Sequence, residues 1–189
     1  MKLKKWLIGL LITFGALFLI WQFVAWPMLK EDTKKISPQK VATFTQDGMD
    51  LSVSYSSPFK NGRVIFGELV PYDAVWRTGA NHPTAFTTTT AIKIIDKDLP
   101  AGTYALWTIP KKDSWSVIFN SEVPDWGVTL ISGGKKTTRD PGTDVLQVEV
   151  PVLSLSGEQE EFDISFQGSS PVHLSLSWDD TGILVPINK

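Results

Sequence analysis

Short runs in which every second residue is apolar, each cut off by turn-forming residues, recur along most of this 189-residue chain and favour β-strands over helices. In residues 49–55, Met49, Leu51, Val53 and Tyr55 fall on one face of an extended chain, with Asp50, Ser52 and Ser54 on the other. Successive side chains of a strand point to opposite sides, so this is the pattern of a half-buried strand. The same period holds for Leu146, Val148 and Val150, for Phe162, Ile164 and Phe166, and for Leu174, Leu176 and Trp178. Residues 63–69 and 104–109 carry apolar side chains at successive positions, as strands covered on both faces do. Residues 115–120 and 183–187 complete the expected strands. Asn61-Gly62, Ala101-Gly102, Pro110 to Asp113, Gly133-Gly134, Pro141-Gly142 and Thr181-Gly182 supply the positive-φ or proline-fixed corners of tight reversals. The expectation is an all-β domain, an antiparallel β-sandwich closed around the tryptophans.

The N-terminus follows another rule. From Trp6 to Leu29 no residue is charged. At about 1.5 Å per helical residue this stretch exceeds the roughly 30 Å of bilayer hydrocarbon. Residues 1–29 are therefore expected to form a single N-terminal transmembrane helix, with the membrane as partner of residues 6–29. Trp6, Trp21 and Trp26 suit the interfaces, and Pro27 loosens the helix as it emerges. A cleavable signal peptide is the competing reading. Its apolar region usually runs about 7–15 residues before a small-x-small pattern, whereas this stretch is longer and ends in Phe23, Val24, Ala25, Trp26 and Pro27. Lys2, Lys4 and Lys5 are matched by Lys30, Lys34 and Lys35, so only the α-amino group and the N-terminal placement favour a cytoplasmic N-terminus. The expected location is the inner membrane, with the C-terminal domain facing the periplasm or cell exterior. Residues 30–40, polar and containing Pro38, read as a tether; residues 41–189 form the expected extracytoplasmic domain.

Residues 36–189 hold 12 Lys/Arg against 18 Asp/Glu, an excess of six acids, and no basic run that nucleic-acid binding would need. There is no cysteine, which excludes disulfides, thiolate metal sites and a cysteine nucleophile. No cofactor is implied.

The longest connection, from Glu68 to about Thr84, concentrates the chemistry. It contains Glu68, Tyr72, Asp73, Trp76, Arg77, Asn81 and His82, and long loops often carry function. Two readings stay open. In one, Trp76 plugs the core, Arg77 pairs with Glu68 or Asp73 to order the loop, and Gly79 supplies a special backbone conformation. In the other, Glu68, Tyr72, Trp76, Arg77, Asn81 and His82 form a binding surface. Tyr72, Trp76 or Trp126 would offer an aromatic platform, and Arg77 and Asn81 planar donors for a carboxylate, sugar or peptide. Catalysis finds little support. His82 and His173 adjoin no nucleophile-elbow pattern. Glu68, Asp73 and His82 are too irregularly spaced to read as a metal triad, and no spacing selects a pair from Glu68, Asp73, Glu122 and Asp125. No catalytic or metal-ligating residue is assigned.

At this loop the sequence resembles a known family. Residues 67–72 (GELVPY) and 75–81 (VWRTGAN) are followed in order by residues 99–104 (LPAGTY), Thr108-Ile109-Pro110, Trp115, Val117, Asn120, Trp126-Gly127 and Asp144-Val145-Leu146. Together they resemble the bacterial domain-of-unknown-function family 2911 over roughly residues 49–187. The resemblance implies an exported all-β protein of the bacterial envelope and carries over no reaction or ligand. Two departures stand out: His82-Pro83 replaces the family's usual acidic residue, and residues 128–132 lack the expected aromatic. The function expected is binding of a small ligand, glycan or peptide through residues 68–82, with a protein-interaction scaffold as the alternative and a hydrolase or metal-dependent enzyme less favoured. A ligand module predicts a concave pocket around Arg77; a scaffold predicts a flatter apolar patch or open strand edge.

Overall fold

The computed structural model describes residues 2–26, 36–129, 132 and 136–189. The chain divides into two units, residues 1–36 and 37–189.

In the first unit an α-helix spans Lys2–Ile20 and passes into a π turn, Trp21–Ala25, closed by the Trp26 N–H donating to the Trp21 carbonyl. The expected spanning helix over 6–29 is therefore corrected: among the described residues no helix is long and apolar enough to cross a membrane. The uncharged α-helical part runs only from Trp6 to Ile20, about 22 Å at 1.5 Å per residue, against roughly 30 Å of hydrocarbon. Residues 27–29, and with them Pro27, lie outside the described residues, as do residues 30–35 of the tether and the expected Gly133-Gly134 turn.

The second unit is antiparallel β-structure. Its strands are β1 (Gln39–Gln46), β2 (Met49–Ser56), β3 (Ala85–Thr88), β4 (Ile92–Ile94), β5 (Lys97–Leu99), β6 (Gly102–Pro110), β7 (Ser114–Asn120), β8 (Asp144–Gln167) and β9 (Val172–Asn188). They form one continuous nine-stranded sheet in the order β1-β2-β3-β6-β7-β8-β9-β4-β5. The sequence suggested two sheets; the hydrogen bonding joins them through β8. Residues 144–151 of β8 pair with β7 and residues 152–167 pair with β9, with register shifts between Ser154 and Asp163. The expected strands at 146–150 and 162–166 are thus two halves of β8, and those at 174–178 and 183–187 two halves of β9. Thr181-Gly182 lies inside β9 opposite Ser154 and Leu153, and the positive φ, 57°, falls on Asp179 instead.

The sheet curls until β2 approaches the second half of β8. The Phe162 N–H donates to the Pro58 carbonyl (2.9 Å), the Lys60 N–H to the Glu160 carbonyl (2.6 Å), and the Ser57 hydroxyl to the Phe162 carbonyl. Tyr55, 3% exposed, accepts from the Ile164 N–H (3.1 Å) and donates to Asp163 (3.3 Å). One core results, in which the alternating residues of β2, β7, β8 and β9 meet the rings of Phe86, Phe162 and Trp178. On the opposite face of β6 and β7, Ala105, Trp107 and Ile118 form a second buried cluster under Val75 and Ile109. This accounts for the unbroken apolar run of β6, which is covered on both sides.

Residues 63–69 are not a strand. They form a hydrogen-bonded turn in which Leu69 N–H donates to Val64 O (3.3 Å) and Val70 N–H to Ile65 O (2.8 Å). Ile65 and Val70 are buried, while Val64 and Leu69 are exposed; their crowding along the chain carries no period of two.

Candidate functional site

The loop after this turn is held like a strand before it departs. The Asp73 N–H donates to Pro110 O (2.9 Å), and Trp76 and Thr108 exchange two backbone bonds (2.7 and 3.0 Å). Further along β6, Leu106 N–H donates to Thr84 O (2.8 Å), just before β3 begins. Residues 73–76 and β3 thus share one lane beside β6, and residues 77–83 loop out between them. Alternation in that lane sends Val75 to the Trp107 cluster and Trp76 to the main core.

The out-looped segment has an unusual backbone. Asp73, Thr78 and Asn81 have φ of 58°, 56° and 57°, and Gly79 has φ of 147°. A Cβ at Gly79 would stand 2.8 Å from the Ser56 carbonyl, so only glycine fits there. Thr78 is β-branched and belongs to the residue types least suited to positive φ. It is held by burial and by hydrogen bonds: Thr78 Oγ1 to Thr108 Oγ1 (3.1 Å), and Thr84 Oγ1 donating to Thr78 O (2.6 Å). Such strain persists where surrounding contacts over-determine it.

The six expected site residues separate. Trp76 is a core residue: its ring stacks on Trp178 at 6.0 Å and 16°, meets Phe162 at 5.0 Å and Trp115 at 6.2 Å, and donates from Nε1 to Gly79 O (3.0 Å). The ring is partly buried, with one side packed against the core. Tyr72 lies over Gly67, where an added Cβ would come within 3.0 Å of its ring. Glu68 is exposed on the same turn. Asn81 is half-buried at the tip of the loop.

Arg77 and His82 instead meet a segment from elsewhere in the sequence. The Arg77 stem packs on Gly127, whose added Cβ would stand 3.0 Å from Arg77 Cδ and 3.3 Å from Pro83 Cγ. His82 Nδ1 lies 3.1 Å from Asp125 O, and its ring meets the Trp126 ring edge-on at 5.5 Å and 77°. Thr138 anchors the segment through its hydroxyl to Trp126 O (2.8 Å) and its N–H to Gly127 O (3.1 Å). The Trp126-Gly127 pair was visible in the sequence; the part hidden there was that its glycine seats Arg77.

Arg77 does not pair with Glu68 or Asp73. Among the described residues it has no hydrogen bond and no ion pair, and its Nε is buried without an acceptor. Burial lowers the Arg77 pKa below its ordinary value, as desolvation disfavours the charged form. Trp126 Nε1 is likewise buried without a partner. Trp107 and Trp115 also lack indole acceptors, but both lie wholly inside apolar packing, whereas Arg77 and Trp126 are half-buried.

Two grooves, of about 560 and 290 Å³, share Ile95 and Glu149 on the far half of the sheet, and neither is lined by residues 68–84. Among the described residues, Glu68, Asp73 and His82 are not gathered as a metal site.

A family model described as "Protein of unknown function (DUF2911)" matches residues 37–187. Comparison with curated proteins and with solved structures finds no match to the chain.

Proposed function

The chain belongs to the DUF2911 family of proteins of unknown function, and from that premise we propose that it is a recognition module of the bacterial envelope, taking a ligand that offers hydrogen-bond acceptors at Arg77 and His82. One observation carries the reading. Arg77, the only Lys or Arg between Glu68 and Thr84, has its stem and Nε withdrawn from water and no acceptor in return. A buried donor without a partner costs roughly 1–3 kcal/mol, more when charged. A fold that keeps one at a half-exposed position beside a strained loop suits a ligand that supplies the acceptor. The fitting ligand is a small molecule, peptide or glycan that carries such an acceptor.

The N-terminal helix is proposed as the membrane attachment. Trp6, Leu10, Leu11, Ile12, Phe14, Phe18 and Phe23 are all exposed, and residues 10, 11, 12 and 14 point in different directions around a helix turning about 100° per residue. Apolar surface on every side calls for an apolar surround. Placement of the folded domain outside the cytoplasm follows the family resemblance.

Photo-crosslinking tests the recognition reading in intact membranes, with the reactive group replacing exposed Asp125, whose side chain the site does not use, in the full chain. Discrete adducts that disappear on Arg77→Met are expected. Adducts indifferent to Arg77, or none, would sink the reading.

A further inference from the structure

Three exposed apolar side chains of the folded domain sit together on the turn that precedes the candidate loop. We infer that this turn, residues 63–72, is a lipid-contacting knob that rests on the surface of the bilayer holding the N-terminal helix. The inference rests on the membrane attachment proposed above and goes beyond it, since it assigns the folded domain a lipid contact of its own.

The turn has a fixed base and an apolar crown. Ile65 and Val70 are buried, and the Gly67 N–H donates to Val70 O (2.9 Å). Phe66 reaches the rings of Trp115 (5.0 Å), Trp76 (6.4 Å) and Trp178 (6.5 Å). Around these anchors Val64, Leu69 and Tyr72 are 55%, 44% and 36% exposed, and Pro71 is exposed beside them. Val64 and Leu69 are tied to each other by a backbone bond of 3.3 Å. Single exposed apolar residues are ordinary on a protein surface, whereas a group of them fixed on one turn marks a contact. A turn ordered in advance loses little freedom on binding. Tyr72, an apolar ring with a polar tip, suits the membrane–water interface. Glu68 and Asp73, exposed at the edge of the crown, keep the contact at headgroup depth.

The route of the chain selects lipid as the occupant. The domain begins at Ser37, and the Ser57 N–H donates to Pro38 O (2.8 Å). Three residues lead from Ser57 to Lys60, whose carbonyl accepts from the Arg63 N–H (3.1 Å) and from Arg63 Nε (2.9 Å), and Val64 follows. Those steps place Val64 within about 20 Å of Ser57, close to where the chain enters the domain. The eleven residue steps from Trp26 to Ser37 extend at most about 40 Å. A helix lodged in a bilayer therefore keeps the knob within reach of lipid, at an effective concentration on the order of millimolar. An affinity too weak to recruit a free domain is enough for a tethered one. Residues 61–73 hold one base, Arg63, against two acids, Glu68 and Asp73, so anionic headgroups add no attraction and the contact is apolar.

The test uses the full chain with ¹³C-methyl-labelled Leu and Val, one copy per phosphatidylcholine nanodisc, and doxyl-phosphatidylcholine as the paramagnetic lipid. Broadening of the Val64 and Leu69 methyls is expected, along with those of Leu7 and Leu11, which are exposed on the helix. Val145 and Leu153, similarly exposed at 44% and 40%, should stay sharp. Raising salt about tenfold should leave the pattern unchanged, because no charge pair is there to screen. Leu69→Gln, a surface change that leaves the fold intact, should shift the contact equilibrium about fivefold toward the free domain, read as weaker broadening at Val64. Equal broadening of every exposed methyl would overturn the inference, as would its loss at high salt. If Leu7 and Leu11 broaden while Val64 and Leu69 stay sharp, the membrane attachment stands and this inference fails; if none of the four broadens, both fall. Broadening at the turn that needs no doxyl lipid and appears only with two copies per disc would assign the knob to a second copy of the chain and overturn the lipid contact.

Discussion

Adjacent residues in this loop have opposite fates. Trp76 contributes its ring to a cluster of Phe66, Trp115, Phe162 and Trp178, so Trp76→Ala opens a cavity at the junction of several elements and should cost about 3–5 kcal/mol in denaturant unfolding. Arg77 has no ion pair to lose. A buried pair broken on one side costs about 3–5 kcal/mol, whereas an unpaired charge replaced by an apolar chain of similar length leaves no stranded partner. Arg77→Met should therefore raise stability by about 1–3 kcal/mol, the cost of the unpartnered donor it removes. A loss of 3 kcal/mol would reveal a counter-charge and remove the basis of the binding site. The sequence could name both residues but could not divide their roles, since which of Val75, Trp76 and Arg77 turns inward depends on the lane beside β6, a pairing set 32 residues away at Thr108.

Among the elements, the strands with a clean period of two were legible: β2, both halves of β8 and the first half of β9. The period failed where tertiary pairing overrides local pattern. β3, β4 and β5 are three or four residues long, too short to show a period, and β1 began inside what read as tether. Asp47-Gly48, with φ of 53° and 72°, is a hairpin signal that would have revealed β1. The union of β8's halves was invisible because Ser156, Gly157, Glu158 and Gln159 interrupt its apolar pattern. Tyr55 ties β2 to that second half. Burial, with the Asp163 charge adding to it, raises its phenol from 10.0 to about 12. A pKa raised by folding favours the neutral form, so this contribution is complete below pH 10 and fades as pH rises through 12. Wild type should lose on the order of 2 kcal/mol across that window relative to Tyr55→Phe. Parallel stability curves for the two proteins from pH 9 to 12 would refute this role of the hydroxyl.

At the scale of the molecule, sequence gave the β class and the family, while the closure of the sheet was beyond its reach. Hydrophobic period locates faces; it does not say which strand sits beside which. β4 and β5 follow β3 closely in sequence, yet in the sheet β5 pairs with β4 and β4 with β9. Removing residues 172–189 should therefore abolish cooperative unfolding rather than trim an edge, with circular dichroism showing no sharp transition. A truncated chain that still melts sharply would mean that the first six strands of the order are a domain in themselves.

That placement also sets a schedule. β9 is the last of the nine strands to leave the ribosome, and it settles between β8 and β4, where nothing made earlier can stand in for it. β8 meets β9 at once across a short connection, Gln167 opposite His173, but Lys93 of β4 must wait for Asn188, and partners so far apart along the chain meet slowly. If the chain is exported as it is made, β4 and β5 travel without the strand that joins them to the rest of the sheet, and that half closes only when the last strand arrives.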